Sequence, residues 1–340
     1  MPNNSRQTVR LLLRAPTPAF HSVEQVFAAL LPQLREEFRV HWQELPYSRL
    51  SVQGMAGNCR AARRGEFALT HITGHANYTA LSCKAPSLMT VHDVRSAFSG
   101  NPLRDFLMQM LWFWGPALAV KRITVISDFT RTELAGLIPF ARHKIQVVHN
   151  PISTELAFKS KTFREAHPRI LHMGTKPNKN LRRTAEALKG VPCTLVVIGN
   201  LPEEERALLE ALDITYESRE NLDYAGIVRE YETCDLVCFA SLYEGFGMPV
   251  VEANAVGRPV VAGNAGAIPE VAADAACLVD PSQSEAIREG ILKVIHCAGY
   301  REQLVTNGLR NVQRFRPQKI ARDYAAIYKE IIGEAGEHAV

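Results

Sequence analysis

Residues 239–263 read FASLYEGFGMPVVEANAVGRPVVAG, and this stretch decides the predicted fold. A buried strand is predicted to end near Ala240, and the turn that follows contains Gly245 and Gly247, which allow a tight bend and a close approach to a ligand. Pro249 suits the first turn of a helix, VVEANAV. A strand, a glycine-rich turn and a helix N-terminus in series form a ready site for phosphate, because the free amides and the helix dipole both favour an anion.

Two carboxylates lie eight residues apart around this turn, Glu244 before it and Glu252 inside the helix. With phosphate at the amides, Glu252 could accept hydrogen bonds from ribose hydroxyls, and Glu244 could meet a sugar. Either glutamate alone is more often a surface or capping residue, but the joint pattern favours a sugar-nucleotide site. The turn residues predicted to contact the nucleotide are Gly245, Phe246, Gly247, Met248 and Pro249.

Short apolar runs alternate with helical patterns along the whole chain, which is typical of parallel sheets with crossover helices. A length of 340 residues suggests two domains. We predict an α/β fold of two Rossmann-like, doubly wound domains that face a cleft, at 1–155 and 165–315, followed by an amphipathic helix at 316–340. The predicted strands are TVRLLL, FRVHWQEL, FALTHIT, SLMTVHD, RITVIS and KIQVVHN, then RILHMG, CTLVVIG, DLVCFA, RPVVAG and ACLVD.

Local signals predict several helix starts and one apolar cluster. Asn180 is predicted to N-cap LRRTAEAL, and Thr130 with Glu133 is predicted to form a capping box. The aromatic residues 112–114 (WFW) have two interpretations, a piece of the core or a surface that faces a membrane or an acceptor. The segment ESRENLDYAG at 217–226 is predicted to include a loop that contacts the nucleotide base.

Composition and charge limit the function classes. Hydrophobic residues make up 46% and charged residues 22%, an ordinary soluble mixture, and no apolar run approaches the roughly 20 residues of a membrane span. We therefore predict a cytoplasmic protein. The net charge of +4 divides into +8 for residues 1–150 and −4 for the remainder. The basic half could face an acidic acceptor or the anionic inner face of a membrane, or could be a solvated surface without a partner. No metal-binding spacing, GxGxxG motif or nucleic-acid partner is predicted.

The Glu-x7-Glu pattern around the glycine-rich turn resembles the retaining family-four glycosyltransferases. RILHMGTKPNKNL looks like the first strand and loop of that family's nucleotide domain, GNAGAIPEVAADAACLVDP like the segment that closes the site, and RDYAAIYKEI like its terminal helix. In the first half the likeness is weaker and rests on MTVHDV, ITVISDFTR and VHNPI. The resemblance implies the GT-B fold and transfer of a sugar, with retention at the anomeric carbon, from a GDP- or UDP-sugar to a saccharide or lipid-linked acceptor in bacterial-type polysaccharide or glycoconjugate assembly. It also implies that 1–155 is the acceptor-side domain, that 165–315 is the nucleotide-sugar domain, and that the helix at 316–340 packs on the first domain. It implies no metal and no cofactor beyond the nucleotide-sugar co-substrate.

The resemblance also implies roles for single residues. His92 falls where the family has a histidine that faces the donor sugar, and Glu244 and Lys179 fall at its catalytic positions. The loop residues Gly174, Thr175 and Lys176 would line the donor phosphates together with Lys179, because fixed positive charge stabilises a departing diphosphate.

The chain departs from the family pattern at two loops. Thr175 stands where the family often has Arg, and the KPNK loop is about a residue shorter, so either Lys176 or Lys179 could supply the charge. In the first half, APTPAFHS at 15–22 replaces the usual glycine pair, with His21 and Ser22 at the predicted turn. The departure in the first half concerns the acceptor-side contacts and not the donor site.

Two other classes of function use the same architecture. A sugar-nucleotide epimerase or a phosphorylase would bind nucleotide or phosphate at the same place, and a non-catalytic sugar-nucleotide-binding module would keep the fold without the chemistry. The two glutamates with KPNKN favour a transferase, and no cofactor lysine site of a phosphorylase is evident. Glu244, Glu252 and Lys179 together argue against a decayed site.

Overall fold

A computed structural model of the chain describes residues 6–15, 22–49, 51–98 and 100–337. The chain divides into two compact units. The first unit consists of Met1–Pro151 with Pro317–Val340, and the second is Ile152–Arg316. Each unit contains a six-stranded parallel sheet, and the strand orders differ from the sequence order as crossover connections require.

The first unit alternates strands and helices. Its strands are β1 (Thr8–Leu13), β2 (Arg39–Glu44), β3 (Leu69–Ile72), β4 (Ser87–Val91), β5 (Arg122–Val125) and β6 (Ile145–Val147), in the sheet order β2-β1-β3-β4-β5-β6. The helices between them are α1 (Ser22–Glu37), α2 (Val52–Ala62), α3 (Pro102–Gln109), α4 (Gly115–Ala119) and α5 (Asp128–Leu137). Successive residues of β1 point to opposite faces, and Leu11 and Leu12 belong to separate apolar clusters. The sheet is therefore covered on both faces.

Arg10 is a buried cation in the middle of β1. Its guanidinium donates to the Thr70 hydroxyl and to the carbonyls of Ala62 at 2.6 Å and Arg64 at 2.9 Å. Burial lowers the pKa of Arg10. The two carbonyls lie at the C-terminal end of α2, where the helix dipole favours a cation, so this side chain ties α2 to the sheet.

The second unit repeats the architecture. Its strands are β7 (Arg169–Met173), β8 (Thr194–Ile198), β9 (Tyr216–Arg219), β10 (Leu236–Phe239), β11 (Val260–Gly263) and β12 (Cys277–Val279), in the order β12-β11-β10-β7-β8-β9. Its helices are α6 (Leu181–Leu188), α7 (Glu203–Ala211), α8 (Tyr224–Thr233), α9 (Met248–Val256), α10 (Ile268–Ala272), α11 (Ser284–His296) and α12 (Ala298–Asn311). β7, β8 and β10 supply buried aliphatic side chains to its core.

Three local predictions need correction. Residues 216–219 form an edge strand that pairs with β8, and the sequence YESR was missed because an edge strand buries none of its residues fully and needs no apolar run. Asn180 stands at the start of α6, but its own side chain does not cap the helix and its φ is +64°. Ser127, and not Thr130, caps α5, accepting from the Thr130 amide at 3.0 Å.

The segment that follows Pro151 is part of the second unit. The Ile152 amide donates to the Phe315 carbonyl at 2.8 Å, and the Lys159 amide donates to the Val256 carbonyl. The carboxylate of Asp235 is buried and accepts from the ammonium of Lys161. Burial by itself would raise the pKa of Asp235, but hydrogen bonds from Lys161, Arg164 and the Arg169 amide lower it below its usual value. The Asp235 carboxylate is therefore ionised at neutral pH.

The last helix, α13 (Pro317–Glu337), belongs to the first unit, as the predicted fold requires. Its buried side chains include Ile320, Tyr324, Ile327, Tyr328 and Ile331. The Tyr328 hydroxyl lies 2.7 Å from Nδ1 of His71, whose Nε2 lies 2.7 Å from the Thr90 hydroxyl. Burial lowers the pKa of His71 to about 3, so the neutral ring links α13 to β3 and β4.

We expect Tyr328→Phe to lower the free energy of unfolding by about 1–3 kcal/mol, because it leaves a buried ring nitrogen of His71 without its partner. Tyr47→Phe removes a hydroxyl from an exposed ring of the same unit and is the matched control. Urea unfolding followed by circular dichroism measures both. Equal midpoints for the two variants would contradict the assigned role of the hydroxyl.

Candidate functional site

The strand order of the second sheet brings two loops together. From β7 the sheet continues through β8 to β9 on one side, and from β10 it continues through β11 to β12 on the other side. β7 and β10 are therefore neighbours at the point where the strand order changes direction, the switch point. In parallel sheets, ligands bind at such a point, beyond the carboxyl ends of the strands. The loops at 174–180 and 240–247 meet there. Together with the start of α9 they carry Gly174, Thr175, Lys176, Lys179, Glu244, Gly245, Phe246, Gly247, Met248, Pro249 and Glu252.

Lys179 and Glu244 form an ion pair at this switch point. The Nζ of Lys179 lies 2.7 Å from Oε1 of Glu244, and the two side chains are 20% and 14% exposed. The amide of Asn178 donates to the Tyr243 carbonyl at 3.1 Å and lies 3.4 Å from the same Glu244 oxygen. The ammonium also lies 4.9 Å above the Phe239 ring. Two opposite charges are thus held in place while a small part of each side chain is open to solvent.

The loop after β7 is shaped around Lys179. Gly174 has a φ of +89°, and a β-carbon there would lie 3.1 Å from Cγ of Lys179, so glycine makes room for the lysine stem. The hydroxyl of Thr175 donates to the Asn200 carbonyl at 2.6 Å. Lys176 is exposed at the start of the loop. Of the two lysines that the sequence left open, Lys179 is the one whose ammonium pairs with Glu244.

The glycine-rich turn leads into α9 as predicted. Gly247 is the N-cap of α9 and has a φ of +98°, a conformation that L side chains rarely adopt. Pro249 occupies the first turn of α9. The Phe246 side chain is buried and packs edge-on against Phe315, with ring centroids 5.5 Å apart. The buried ring of Phe246 therefore anchors the turn to the core.

Glu252 is positioned by a tyrosine. Its Oε2 accepts a hydrogen bond of 2.7 Å from the hydroxyl of Tyr231, a buried residue of α8. Burial raises the pKa of Glu252, while the Tyr231 hydroxyl and the charge of Lys179 act in the opposite direction. Tyr224, also on α8, has its pKa raised by burial and by the charge of Glu252. The protonation of Glu252 is therefore coupled to the charge of Lys179 and to the hydroxyls of Tyr231 and Tyr224.

Gly266 is a site residue that the sequence analysis did not single out. Its φ is +59°, and a β-carbon there would lie 2.6 Å from the Glu244 carbonyl oxygen. The neighbouring Ala267 amide donates to that carbonyl at 3.0 Å. The loop after β11 thus supports the backbone of Glu244 from behind. Its only sequence signal was a glycine between a strand and the helix start in GNAGAIPE.

His92 follows β4 and lies in the first unit, whereas the other predicted site residues lie in the second. Its Nε2 lies 2.8 Å from the Thr73 carbonyl, which can only accept, so Nε2 carries the hydrogen. The His75 ring stacks parallel to it with centroids 5.9 Å apart. Burial, with His75 as the next cause, lowers the pKa of His92 to about 4, so its ring is neutral at pH 7.

The predicted turn APTPAFHS falls mostly outside the described residues. The structure does not describe residues 16–21, which include His21, and it does not describe the side chain of Ser22.

Within the described ranges, no group of three or more His, Cys, Asp or Glu side chains could hold a metal ion. Searching those same residues also finds no helix with the length and apolar character needed to cross a membrane. The aromatic residues 112–114 differ in burial. The side chains of Trp112 and Phe113 lie in the core, and that of Trp114 is partly buried.

Comparison with known proteins assigns a family to each half. Residues 153–311 match the model described as "Glycosyl transferases group 1", and residues 8–156 match "Glycosyltransferase Family 4". The chain is 27% identical over 239 residues to O-antigen chain mannosyltransferase B of Escherichia coli. That match covers 62% of this chain and spans 61% of the relative's length.

Solved structures show the same fold. Alr3699/HepE of Anabaena, in complex with UDP and glucose, superposes with a TM-score of 0.78 at 17% identity over 95% of this chain and 100% of that chain. Sucrose-phosphate synthase of Thermosynechococcus elongatus superposes with a TM-score of 0.80 at 16% identity, over 97% and 100% of the two chains. At these identities the likeness concerns the fold alone, and the predicted GT-B fold is confirmed.

We expect Gly266→Ala to lower the free energy of unfolding by about 1–3 kcal/mol, since it forces alanine into a left-handed conformation and against the Glu244 carbonyl. Gly299→Ala, in α12 of the same unit, meets no atom within 4 Å and is the matched control. Thermal unfolding of both variants checks the difference. A Gly266→Ala protein as stable as the control would show that the loop adapts without strain.

His92 should make stability sensitive to acid. Its pKa is about 4 in the folded protein against an ordinary 6.5, so the unfolded chain takes up the proton first as the pH falls. Its contribution is complete above pH 6.5 and is lost towards pH 4, with a slope of up to about 1.4 kcal/mol per pH unit. We expect His92→Gln to flatten the acid dependence of the unfolding free energy. His143→Gln, at an exposed position, should leave it unchanged, and an identical pH profile for both variants would refute the assignment.

Proposed function

With a glycosyltransferase family model matched in each half, the chain is a group 1 glycosyltransferase, and we propose that it moves a sugar from a nucleoside-diphosphate sugar to an acceptor hydroxyl with retention of the anomeric configuration. The observation that carries the proposal is the Lys179–Glu244 ion pair beside the glycine-rich start of α9. This arrangement combines a paired cation, a helix N-terminus that follows a glycine-rich turn, and a partly buried carboxylate at one sheet switch point.

Lys179 is the group that would stabilise the leaving diphosphate. Departure of a nucleoside diphosphate builds negative charge on the phosphate oxygens, and a fixed cation stabilises it more than mobile water does. The pairing with Glu244 restricts the lysine stem before substrate arrives, so little ordering remains when the diphosphate binds. The amides around Gly247 and Met248 at the start of α9 supply further positive potential.

Glu252 and Glu244 would hold the two ends of the donor. The Tyr231 hydroxyl occupies one oxygen of Glu252 and orients the carboxylate, which can then accept hydrogen bonds from the ribose hydroxyls. Glu244 would accept from hydroxyls of the transferred sugar. The loop of Gly266 fixes the Glu244 backbone, so the carboxylate is positioned from a rigid support.

The relatives guide the choice of substrates. One relative is named an O-antigen chain mannosyltransferase, and a structural neighbour was solved with UDP and glucose. We propose a hexose donor carried on GDP or UDP and a saccharide or lipid-linked acceptor in the assembly of a polysaccharide. His92 would face the donor sugar as a neutral hydrogen-bonding group, since its pKa of about 4 excludes a positive charge at neutral pH.

The reaction products separate this proposal from its alternatives. The protein is incubated with GDP-mannose or UDP-glucose, with and without an added saccharide acceptor, and the products are followed by proton NMR. A retaining transferase releases the nucleoside diphosphate and forms a glycoside with the donor's anomeric configuration. An epimerase would return a nucleotide sugar with altered stereochemistry, a phosphorylase would require inorganic phosphate, and a binding module would leave the donor unchanged.

We expect Glu252→Ala to weaken nucleoside-diphosphate binding and Glu244→Ala mainly to lower turnover. Loss of the ribose hydrogen bonds should cost about 1–3 kcal/mol of binding, which corresponds to an affinity about 5–150 times lower. Calorimetry with GDP and UDP measures the first effect, and steady-state rates measure the second. Glu289→Ala removes an exposed carboxylate from α11 and should change neither. Unaltered nucleotide affinity in Glu252→Ala would remove its assignment to the ribose.

A further inference from the structure

Helix α3 of the first unit turns an apolar stripe towards solvent. Leu103, Phe106, Leu107, Met110 and Leu111 follow the spacing of one helix face, and they are between 37% and 71% exposed. No residue of α3 itself is buried. In a surface helix of a globular protein this stripe normally faces the core, so α3 presents the side that is usually covered.

The turn after α3 explains why the apolar stripe does not face the core. Met110–Trp114 forms a single π-helical turn, which leads into α4 and changes the face that packs inward. Within this turn, Trp112 and Phe113 enter the core, whereas Met110 and Leu111 at its start remain on the exposed stripe. Leu118, 15 residues after Leu103 and about four helical turns along, is 71% exposed and extends the stripe to the end of α4. We call Leu103, Phe106, Leu107, Met110, Leu111 and Leu118 the α3 face.

Basic side chains border the α3 face. Arg104 is exposed on α3, and Lys121 is exposed directly after α4. Lys144 donates to the carbonyls of Ala117 and Val120 at 2.9 Å each, which places its positive charge at the end of α4. Arg142 is exposed two residues after Phe140, a further exposed apolar side chain.

Acidic groups nearby are engaged within the protein. Asp105 accepts from the Gly100 amide at 3.1 Å, and Asp128 pairs with Arg131 at 2.6 Å. Glu330 and Glu334 of α13 pair with Arg122. The first unit as a whole has 20 Lys and Arg against 13 Asp and Glu. The amide of Gly100 does not cancel the charge of the Asp105 carboxylate, so the border sets the basic Arg104, Lys121, Arg142 and Lys144 against this one acidic group and is positive overall.

We propose that the α3 face docks on an anionic lipid bilayer, with its apolar side chains in the interfacial layer and Arg104, Lys121 and Arg142 against the lipid phosphates. A helix with leucine and phenylalanine on one side and basic residues beside them suits this location. A second copy of the chain is the less favourable occupant. The α3 face has six apolar side chains, far fewer than the roughly 20–30 residues per side of a standard protein interface, and the same basic border would meet itself across a symmetric contact. The inference goes beyond the proposed transfer reaction and does not depend on it.

The test is cosedimentation of the full-length protein with vesicles of phosphatidylcholine, with and without phosphatidylglycerol. We expect binding to the anionic vesicles and weaker binding in 1 M salt, where the screening length falls to about 3 Å. Leu103→Gln together with Leu107→Gln should lower the partition coefficient about tenfold or more, because less apolar surface enters the interface. Arg104→Gln should lower it by about fivefold on anionic vesicles and leave neutral vesicles unaffected.

Val52→Gln is the matched control, since Val52 is 86% exposed on α2 of the same unit and lies outside the α3 face. Glutamine keeps a good helix propensity, and thermal unfolding confirms that each variant is folded. Wild-type protein that fails to bind anionic vesicles, or a double variant that binds like the control, would overturn the proposal. Concentration-dependent self-association that the double variant abolishes would assign the face to a second copy. No donor or acceptor is present in this assay, so its outcome is independent of whether the protein transfers sugar.

Discussion

The parallel pairing of β7 with β10 is the constraint on which the candidate site depends. These strands are distant in sequence, yet Ile170 lies opposite Leu236 and the loops that follow them must leave the same edge of the sheet. Hydrogen bonds then join the two loops. The Leu242 amide donates to the Asn178 carbonyl at 2.9 Å, and the Asn180 side chain donates to the Ala240 carbonyl. With the loops fixed in this way, an ammonium from one and a carboxylate from the other lie in contact before any ligand is present.

The charges at this switch point are organised around a single lysine. Lys179 contacts Glu244 directly and favours the ionised form of Glu252. Burial lowers the pKa of His172, and the charge of Lys179 lowers it further. A partly buried cation without these carboxylates would lose hydration without compensation. The two glutamates therefore have a structural role in the free protein as well as the proposed role with substrate, and removal of either changes the electrostatic environment of the lysine.

Sequence reasoning predicted the parts of the fold that adjacent residues encode. The strand, the turn with Gly245 and Gly247, and the helix that begins at Met248 follow from local chemistry, and the apolar runs located 11 of the 12 described strands. What it missed depends on partners far along the chain. Asn180 resembled a helix cap, but its amide is used by distant carbonyls, and Gly266 is required by the backbone of Glu244. An apolar stripe such as that of α3 indicates a covered face without saying what covers it.

The position of α13 has a consequence for the order in which the chain matures during synthesis. The second unit is continuous in sequence, so all of its contacts are available once Arg316 has left the ribosome. The first unit is synthesised earlier, and α1 can cover part of its sheet, but the side chains of α13 that pack on His71 and on the same face follow only later. This apolar sheet face therefore stays partly uncovered while the whole second unit is made. This is the interval in which a chaperone would be needed most, because exposed apolar surface of this kind promotes aggregation.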